Sequence, residues 1–386
     1  MSATHPVPAS VESTLHVDSS GGRFDEAPNH VKTLDGLRAI AVLLVLWAHT
    51  DKVLQPAVLV TLTRICNPAY AGVDLFFVLS GFLITRILLH NRRTGVPIGV
   101  FYFRRMLRIF PIHYLNCGIV AFVHPSPELP WCLVYLSNVW CSFHPLATGV
   151  LVHTWSLAVE EQFYLCWPLL MRIPKTKLYR VPLAVMSSSI SCAFIYTLVA
   201  RPVPVYAFLY MGTPLRALPL AIGALLACFA DSLFRNVPLV CRICCAAMLF
   251  GSLGGILVKM HSVSRWDELG RLVSFAAVSF TAVAGCIAID KSNLIVARIL
   301  RSRALAAIGR ISYGVYLYHL PIFVLLGINP GSAQPTLVHL AIAYVLTLGL
   351  AGVSYRFIET PFLRLKRYVT PATVGMARAA TMSSTQ

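Results

Sequence analysis

The sequence predicts an all-α fold, a polytopic membrane helical bundle of about ten transmembrane helices with one short re-entrant or interfacial helix. Three observations carry this. Of 386 residues, 57% are hydrophobic and only 12% are charged, about half the charged fraction of an ordinary soluble domain. Apolar runs of about 18 residues or more, enough to cross a bilayer, recur along the chain. The Lys and Arg residues behind the formal net charge of +17 sit in short links between those runs, where the positive-inside rule puts them. That placement argues against nucleic acid as a partner, and neither a phosphate-cradling Gly-rich loop nor a nucleic-acid motif is present. The 11 cysteines are scattered in or beside apolar runs and read as reduced thiols. Cys241, Cys244 and Cys245 come closest to a cluster, but no second pair or nearby His completes a metal site, so no metal is expected.

Residues 1–32 are polar and rich in Ser, Pro and His, without the apolar core and cleavage site of a signal peptide. They are expected to form a disordered cytoplasmic arm. A membrane domain over 33–364 and a cytoplasmic tail over 365–386 follow. With basic links facing the cytoplasm, a first span at about 36–54 leads out and a second at about 72–90 returns. The link 91–108 holds NRR and FRRMLR with interleaved aromatics and reads as an interfacial amphipathic stretch. A third span is expected at about 109–124. The run 131–143, bounded by Pro130 and Pro145, is too short to cross and is taken as re-entrant or interfacial. A fourth span starts near His153, and six more follow at about 181–200, 208–230, 243–260, 271–289, 305–328 and 337–358, leaving both termini in the cytoplasm. No internal repeat of the kind many transporters carry stands out.

Function is read from the ionisable groups inside the spans, because hydrocarbon tolerates them poorly and they mark cavities and sites. In LDGLRAIAVLLVLWAHT, Asp35 and Arg38 stand one turn apart and His49 follows Arg38 after ten intervening residues. An eleven-residue step returns to within about 20° of the same face, about 16 Å further on, so the three form one polar stripe. Counting residues inward puts His49, Glu160, Glu161, Arg216 and His319 at similar depths, about 10 Å from the outer face. The expectation is that groups of four spans converge on one layer. Glu160 shares a helix face with Trp155, Ser156 and Tyr164, whereas Glu161 points about 100° away. Pairing of either Glu with Arg216 is the purely structural alternative. Tyr313, Tyr316 and His319 form an i, i+3 row whose hydroxyls would orient a polar ligand. Arg105 and Arg108, three apart, present guanidinium forks suited to phosphate oxygens.

LDGLRAIAVLLVLWAHT, GVDLFFVLSGFLIT, FRRMLRIFP, HTWSLAVEEQFYL, TPLRALPLAIGALLA and ISYGVYLYHLPI, in this order, resemble the membrane-bound acyltransferase-3 family. The resemblance runs from about Lys32 to about Arg364. It implies O-acylation, typically O-acetylation, of surface polysaccharide, exopolysaccharide, lipopolysaccharide, peptidoglycan or a small molecule, in a bacterial-type inner (cytoplasmic) membrane. It implies an acyl-coenzyme A donor, acetyl-CoA above all, taken from the cytoplasm as a substrate, with no tightly bound cofactor. Carried over by position, the Arg, ten residues, His pattern falls on Arg38 and His49, the arginine pair on Arg105 and Arg108, and the Glu after Trp-Ser-Leu on Glu160. His49 is then expected as general base on the acceptor hydroxyl, with Glu160 orienting its imidazolium. Arg38 would balance donor phosphate or pair with Asp35, and Arg105 and Arg108 would hold that phosphate. Arg216, Tyr313, Tyr316, His319, Glu161 and Asp35 are assigned to the acceptor or oxyanion pocket. The alternative from another class is a transporter or flippase of a lipid-linked glycan using the same polar layer.

Overall fold

The computed structural model describes residues 30–50, 68–144, 149–174, 177–199, 202–234, 265–328 and 336–368. The expected seventh span at 243–260 and the cluster Cys241, Cys244 and Cys245 lie outside them, as do most of the expected arm and tail. No strand occurs among the described residues. The helices are α1 (Thr33–Thr50), α2 (Pro68–Thr94), α3 (Ile98–Val123), α4 (Leu129–Leu133), α5 (Ser137–Phe143), α6 (Trp155–Leu170), α7 (Arg180–Val199) and α8 (Pro202–Met211). They continue with α9 (Thr213–Leu233), α10 (Arg265–Ile289), α11 (Ile295–Leu300), α12 (Arg303–Leu325), α13 (Leu337–Ser354) and α14 (Thr360–Arg364). Among the described residues, 7 helices are long and apolar enough to cross a membrane, and the protein is a multi-pass membrane protein.

The remaining expected spans in the described residues also fall on helices. α6 has 16 residues, just short of a full crossing. α12 carries Ser312, Tyr316, Tyr318 and His319 on its buried side, which lowers its apolarity because protein, not lipid, covers that face.

One sequence expectation needs correction. The stretch 91–108 is not a separate interfacial element. α2 runs on to Thr94, Gly95 turns the chain at φ 73°, and α3 starts at Ile98 and passes unbroken through Pro111. No helix breaker lies between Ile98 and Pro111, so the backbone keeps its hydrogen bonds as it enters the membrane. Arg105 and Arg108 therefore sit about 11 and 15 Å along α3 rather than at its mouth. The expected span 208–230 falls within the candidate span Ala207–Leu233, whose backbone is interrupted at Gly212 (φ −69°, ψ 128°) between α8 and α9. The short run 131–143 forms two helices, with Tyr135 at φ 55° between them.

α1 packs between α2 and α12, α2 lies along α9, and α13 covers the far side of α12. Backbones come close where glycines permit it, as membrane helices require when lipid offers no hydrophobic drive for association. A Cβ on Gly81 of α2 would overlap the Leu220 carbonyl of α9, and one on Gly223 of α9 would overlap that of Val78 of α2. The main core joins Val42, Leu46, Phe77, Trp155, Trp167, Val315 and Phe323, so the bundle centre is built from α1, α2, α6 and α12.

Candidate active site

A cavity opens at this centre. α1 supplies Arg38, α2 supplies Ser80, α3 supplies Arg105 and Arg108, α6 supplies Ser156, Glu160 and Tyr164, and α12 supplies Ser312, Tyr313 and Tyr316. The sets of α3 and α6 repeat at three and four residues, so one face of each of these helices looks inward. From Tyr164 to Ser156 along α6 the cavity is about 12 Å long. Three guanidinium groups and one carboxylate line it, which favours an anionic ligand.

Glu160 is held at both oxygens. The Ser80 hydroxyl donates to Oε1 (2.7 Å) and the Tyr164 hydroxyl to Oε2 (3.1 Å). The Arg105 guanidinium lies 3.8 Å over the Tyr164 ring, which fixes the ring and the cation together. Tyr313 donates to the Ile109 carbonyl (3.3 Å).

Beyond the Ser156 end lie three imidazoles. His319 sits edge-on to His49 at 4.8 Å and to His153 at 4.9 Å. His49 Nδ1 donates to the Val45 carbonyl (2.9 Å), His319 Nδ1 to that of Tyr316 (2.5 Å), and His153 Nε2 to that of Leu317 (3.2 Å). A carbonyl can only accept, so these nitrogens carry the protons, and each neutral ring keeps its lone pair on the other nitrogen. His153 and His319 are buried, while His49 is exposed. Tyr316 joins the two regions. It lines the cavity, its hydroxyl donates to the His153 carbonyl (2.6 Å) and bonds the Ser156 hydroxyl (2.6 Å).

Of the groups expected in one layer, Glu160 lines the cavity while His49 and His319 meet beside His153, about 10 Å along the chain from Glu160. Glu160 does not orient His49; its oxygens are taken by Ser80 and Tyr164. Arg216 lines no part of the cavity. It forms an ion pair with Asp74, both side chains 0% exposed, with the rings of Phe77, Trp155 and Tyr210 at 5.2, 5.5 and 5.4 Å. Trp155 accordingly belongs to this aromatic box rather than to the Glu160 face. Glu161 also points away from the cavity, as the 100° step between neighbours requires, and its Oε1 is buried without a hydrogen-bond partner among the described residues. Asp35 forms its close pair with His30 (3.2 Å) and acts on Arg38 through longer-range attraction.

Sequence reasoning missed Asp74, His153 and the role of Ser80. Asp74 had a signal, a single acid inside the apolar run GVDLFFVLSGF. Ser80 and His153 had none, because a hydroxyl and a helix-end imidazole look ordinary until a partner faces them. Among the described residues, no group of His, Cys, Asp and Glu is arranged to hold a metal ion. All seven described cysteines are free, and Cys117, Cys132, Cys141 and Cys286 are buried.

Fold and cavity together define a multi-pass helical membrane protein with a basic, carboxylate-bearing site in its core. A family model described as an acyltransferase domain matches residues 31–356, and the chain belongs to the acyltransferase-3 family. It is 30% identical over 361 residues to the peptidoglycan O-acetyltransferase OatA of Listeria monocytogenes, covering 86% of this chain and 56% of that one. It is 30% identical to the putative peptidoglycan O-acetyltransferase YrhL of Bacillus subtilis, covering 86% of this chain and 55% of that one. Against the O-acetyltransferase OatA of Staphylococcus aureus identity is 29%, with 87% and 57% covered. The chain thus spans little more than half the length of these curated relatives. No solved structure matches the chain.

Proposed function

We propose that this protein transfers an acyl group, acetyl in the first instance, from cytoplasmic acyl-coenzyme A to a hydroxyl of a cell-surface or exported glycan. The observation that carries the reading is the cavity lined by Arg38, Arg105, Arg108 and Glu160, with the imidazoles adjoining it beyond Tyr316, whose hydroxyl donates to the His153 carbonyl. A coenzyme bears its phosphates at one end and its thioester at the tip of a long arm. Phosphate oxygens would meet the guanidinium forks, and the arm would carry the thioester past Glu160 and Tyr313 toward His49. The Val45 carbonyl leaves the His49 lone pair on Nε2. That nitrogen would take the acceptor hydroxyl proton as the oxygen attacks the thioester carbon. As the new C–O bond forms and the C–S bond breaks, the proton passes to the departing thiolate. Glu160, with its two hydroxyl donors, balances the three cations around the donor. The peptidoglycan named for two of the relatives supports a glycan hydroxyl as the acceptor class. The positive-inside distribution of the links supports a cytoplasmic membrane with both termini inside.

The test uses purified membranes with acetyl-coenzyme A labelled on the acetyl group, comparing wild type with His49→Ala. Thioester loss that depends on His49 supports the reading. Equal loss in a folded His49→Ala variant would sink it.

A further inference from the structure

A second cavity lies away from the basic one, where the end of α2, the start of α3 and the end of α6 meet. Its floor is apolar, with Leu89, Met171 and Leu178 all buried, and its rim carries Asn91, Arg92 and Arg172. The apolar run of α2 here gives way to Arg92 and Arg93 in its last turn, which marks the level of the membrane headgroups. Arg92 is built into the wall. Its Nη1 donates to the carbonyls of Met171 (3.1 Å) and Ile173 (2.6 Å), just past the end of α6, where the helix dipole favours a cation. That seat leaves the Nε and Nη2 donors, an edge that matches two oxygens of a phosphate. The Arg172 guanidinium makes no ion pair or hydrogen bond among the described residues. Asn91 is 8% exposed, yet its side-chain amide has no hydrogen-bond partner among the described residues. A buried amide is costly unless something bonds it, so a ligand with an acceptor oxygen suits this wall. Leu165 and Leu169 of α6, on either side of Pro168 of the cavity wall, are exposed on the outer surface of the bundle.

We propose that this cavity binds one anionic phospholipid of the surrounding membrane. Its phosphate lies between Arg92 and Arg172, the Asn91 amide donates to a glycerol or ester oxygen, and its acyl chains cross the apolar floor and leave along Leu165 and Leu169. Charge and shape both select this occupant. An inorganic phosphate would meet the cations but bury nothing against Leu89, Met171 and Leu178, and a zwitterionic lipid would bring a cation of its own to a rim that already carries two. The bound lipid ties together the ends of α2, α3 and α6, the helices that supply Ser80, Arg105 and Glu160 to the basic cavity.

The experiment uses the full chain purified in one detergent and offered phosphatidylglycerol and phosphatidylcholine in equal amounts. Native mass spectrometry reads the lipid retained, and the melting midpoint is taken with each lipid and with neither. The variants are Arg172→Gln, the double variant Arg92→Gln/Arg172→Gln, Asn91→Leu, and Arg298→Gln as a control on α11 outside the cavity. Wild type should retain phosphatidylglycerol in preference to phosphatidylcholine and melt higher with it. Each guanidinium lost near the membrane surface should lower that retention about fivefold, so Arg172→Gln falls about fivefold and the double variant about 25-fold. Asn91→Leu, with charge unchanged, should lower it about threefold, and Arg298→Gln should match wild type. Equal retention of the two lipids by wild type, or wild-type retention by a folded Arg172→Gln, would overturn the proposal. An equal loss in Arg298→Gln and Arg172→Gln would do the same, since it would mark diffuse attraction to surface charge. Inorganic phosphate or coenzyme A is added last. Retention that survives both supports the lipid, whereas displacement by either would assign the cations to a soluble anion and overturn it.

Discussion

Replacing Arg216 by Met removes one half of an ion pair whose two side chains are both 0% exposed. Asp74 is then left in the bundle core without its cation, and its Oδ2 already lacks a hydrogen-bond partner among the described residues. Breaking a buried pair from one side costs about 3–5 kcal/mol. The guanidinium also faces three aromatic rings at 5.2–5.5 Å, a contact worth about 1–2 kcal/mol more where water is excluded. The double variant Asp74→Leu/Arg216→Met removes both charges and should recover most of that loss, because well-packed apolar pairs often match or exceed a buried ion pair. The assay is the apparent melting midpoint in a fixed detergent together with acetyl-coenzyme A turnover by the folded fraction. The structural role predicts a destabilised single variant and a double variant that is both folded and active. A folded but inactive double variant would return Arg216 to the chemistry, and an unchanged midpoint in the single variant would refute the reasoning about the pair.

Tyr164→Phe deletes the hydroxyl that donates to Glu160 Oε2 at 3.1 Å but keeps the ring under Arg105. A hydrogen bond to a charged group contributes about 1.5–3 kcal/mol to stability, so the melting midpoint should fall, and turnover by the folded fraction should fall with the loss of one of the two donors to Glu160. Tyr164→Leu, which also loses the ring, should in addition weaken coenzyme A binding; equal behaviour of the two variants would argue against the stacked Arg105. Gly81→Ala forces a methyl group into the Leu220 carbonyl and should cost about 1–3 kcal/mol. Gly118→Ala, where nothing lies within 4 Å, should leave stability unchanged or raise it by up to about 1 kcal/mol. Thermal midpoints of the two variants read the difference directly.

Much of the site was legible along single helices. The 3.6-residue period alone puts Ser156, Glu160 and Tyr164 on one face and separates Glu161 from them. The i, i+3 step likewise pairs Arg105 with Arg108 and Tyr313 with Tyr316, and all of these except Glu161 do line the cavity. Run lengths and the basic links located the helices, with errors where the reading relied on charge to end a helix. At 91–108 the arginines suggested a surface, yet the backbone of α3 continues through them because an intact hydrogen-bond ladder outweighs the cost of a partly shielded guanidinium.

What the sequence determined by itself was the class of protein, the helices and the inward face of each, since all three follow from local apolarity and a fixed helical period. Only the tertiary structure decided which faces meet. Arg216 has two acids within reach of a sequence argument, Glu160 and Glu161, but its partner is Asp74, 142 residues away in the chain. Ser80 of α2 became a ligand of Glu160 of α6 because these two helices pack on each other. The three imidazoles meet edge-on because α1, α12 and the turn leading into α6 converge at one end. Ionic and hydrogen-bonding partners are set by the rotation and approach of whole helices, and those depend on the packing of every other helix in the bundle.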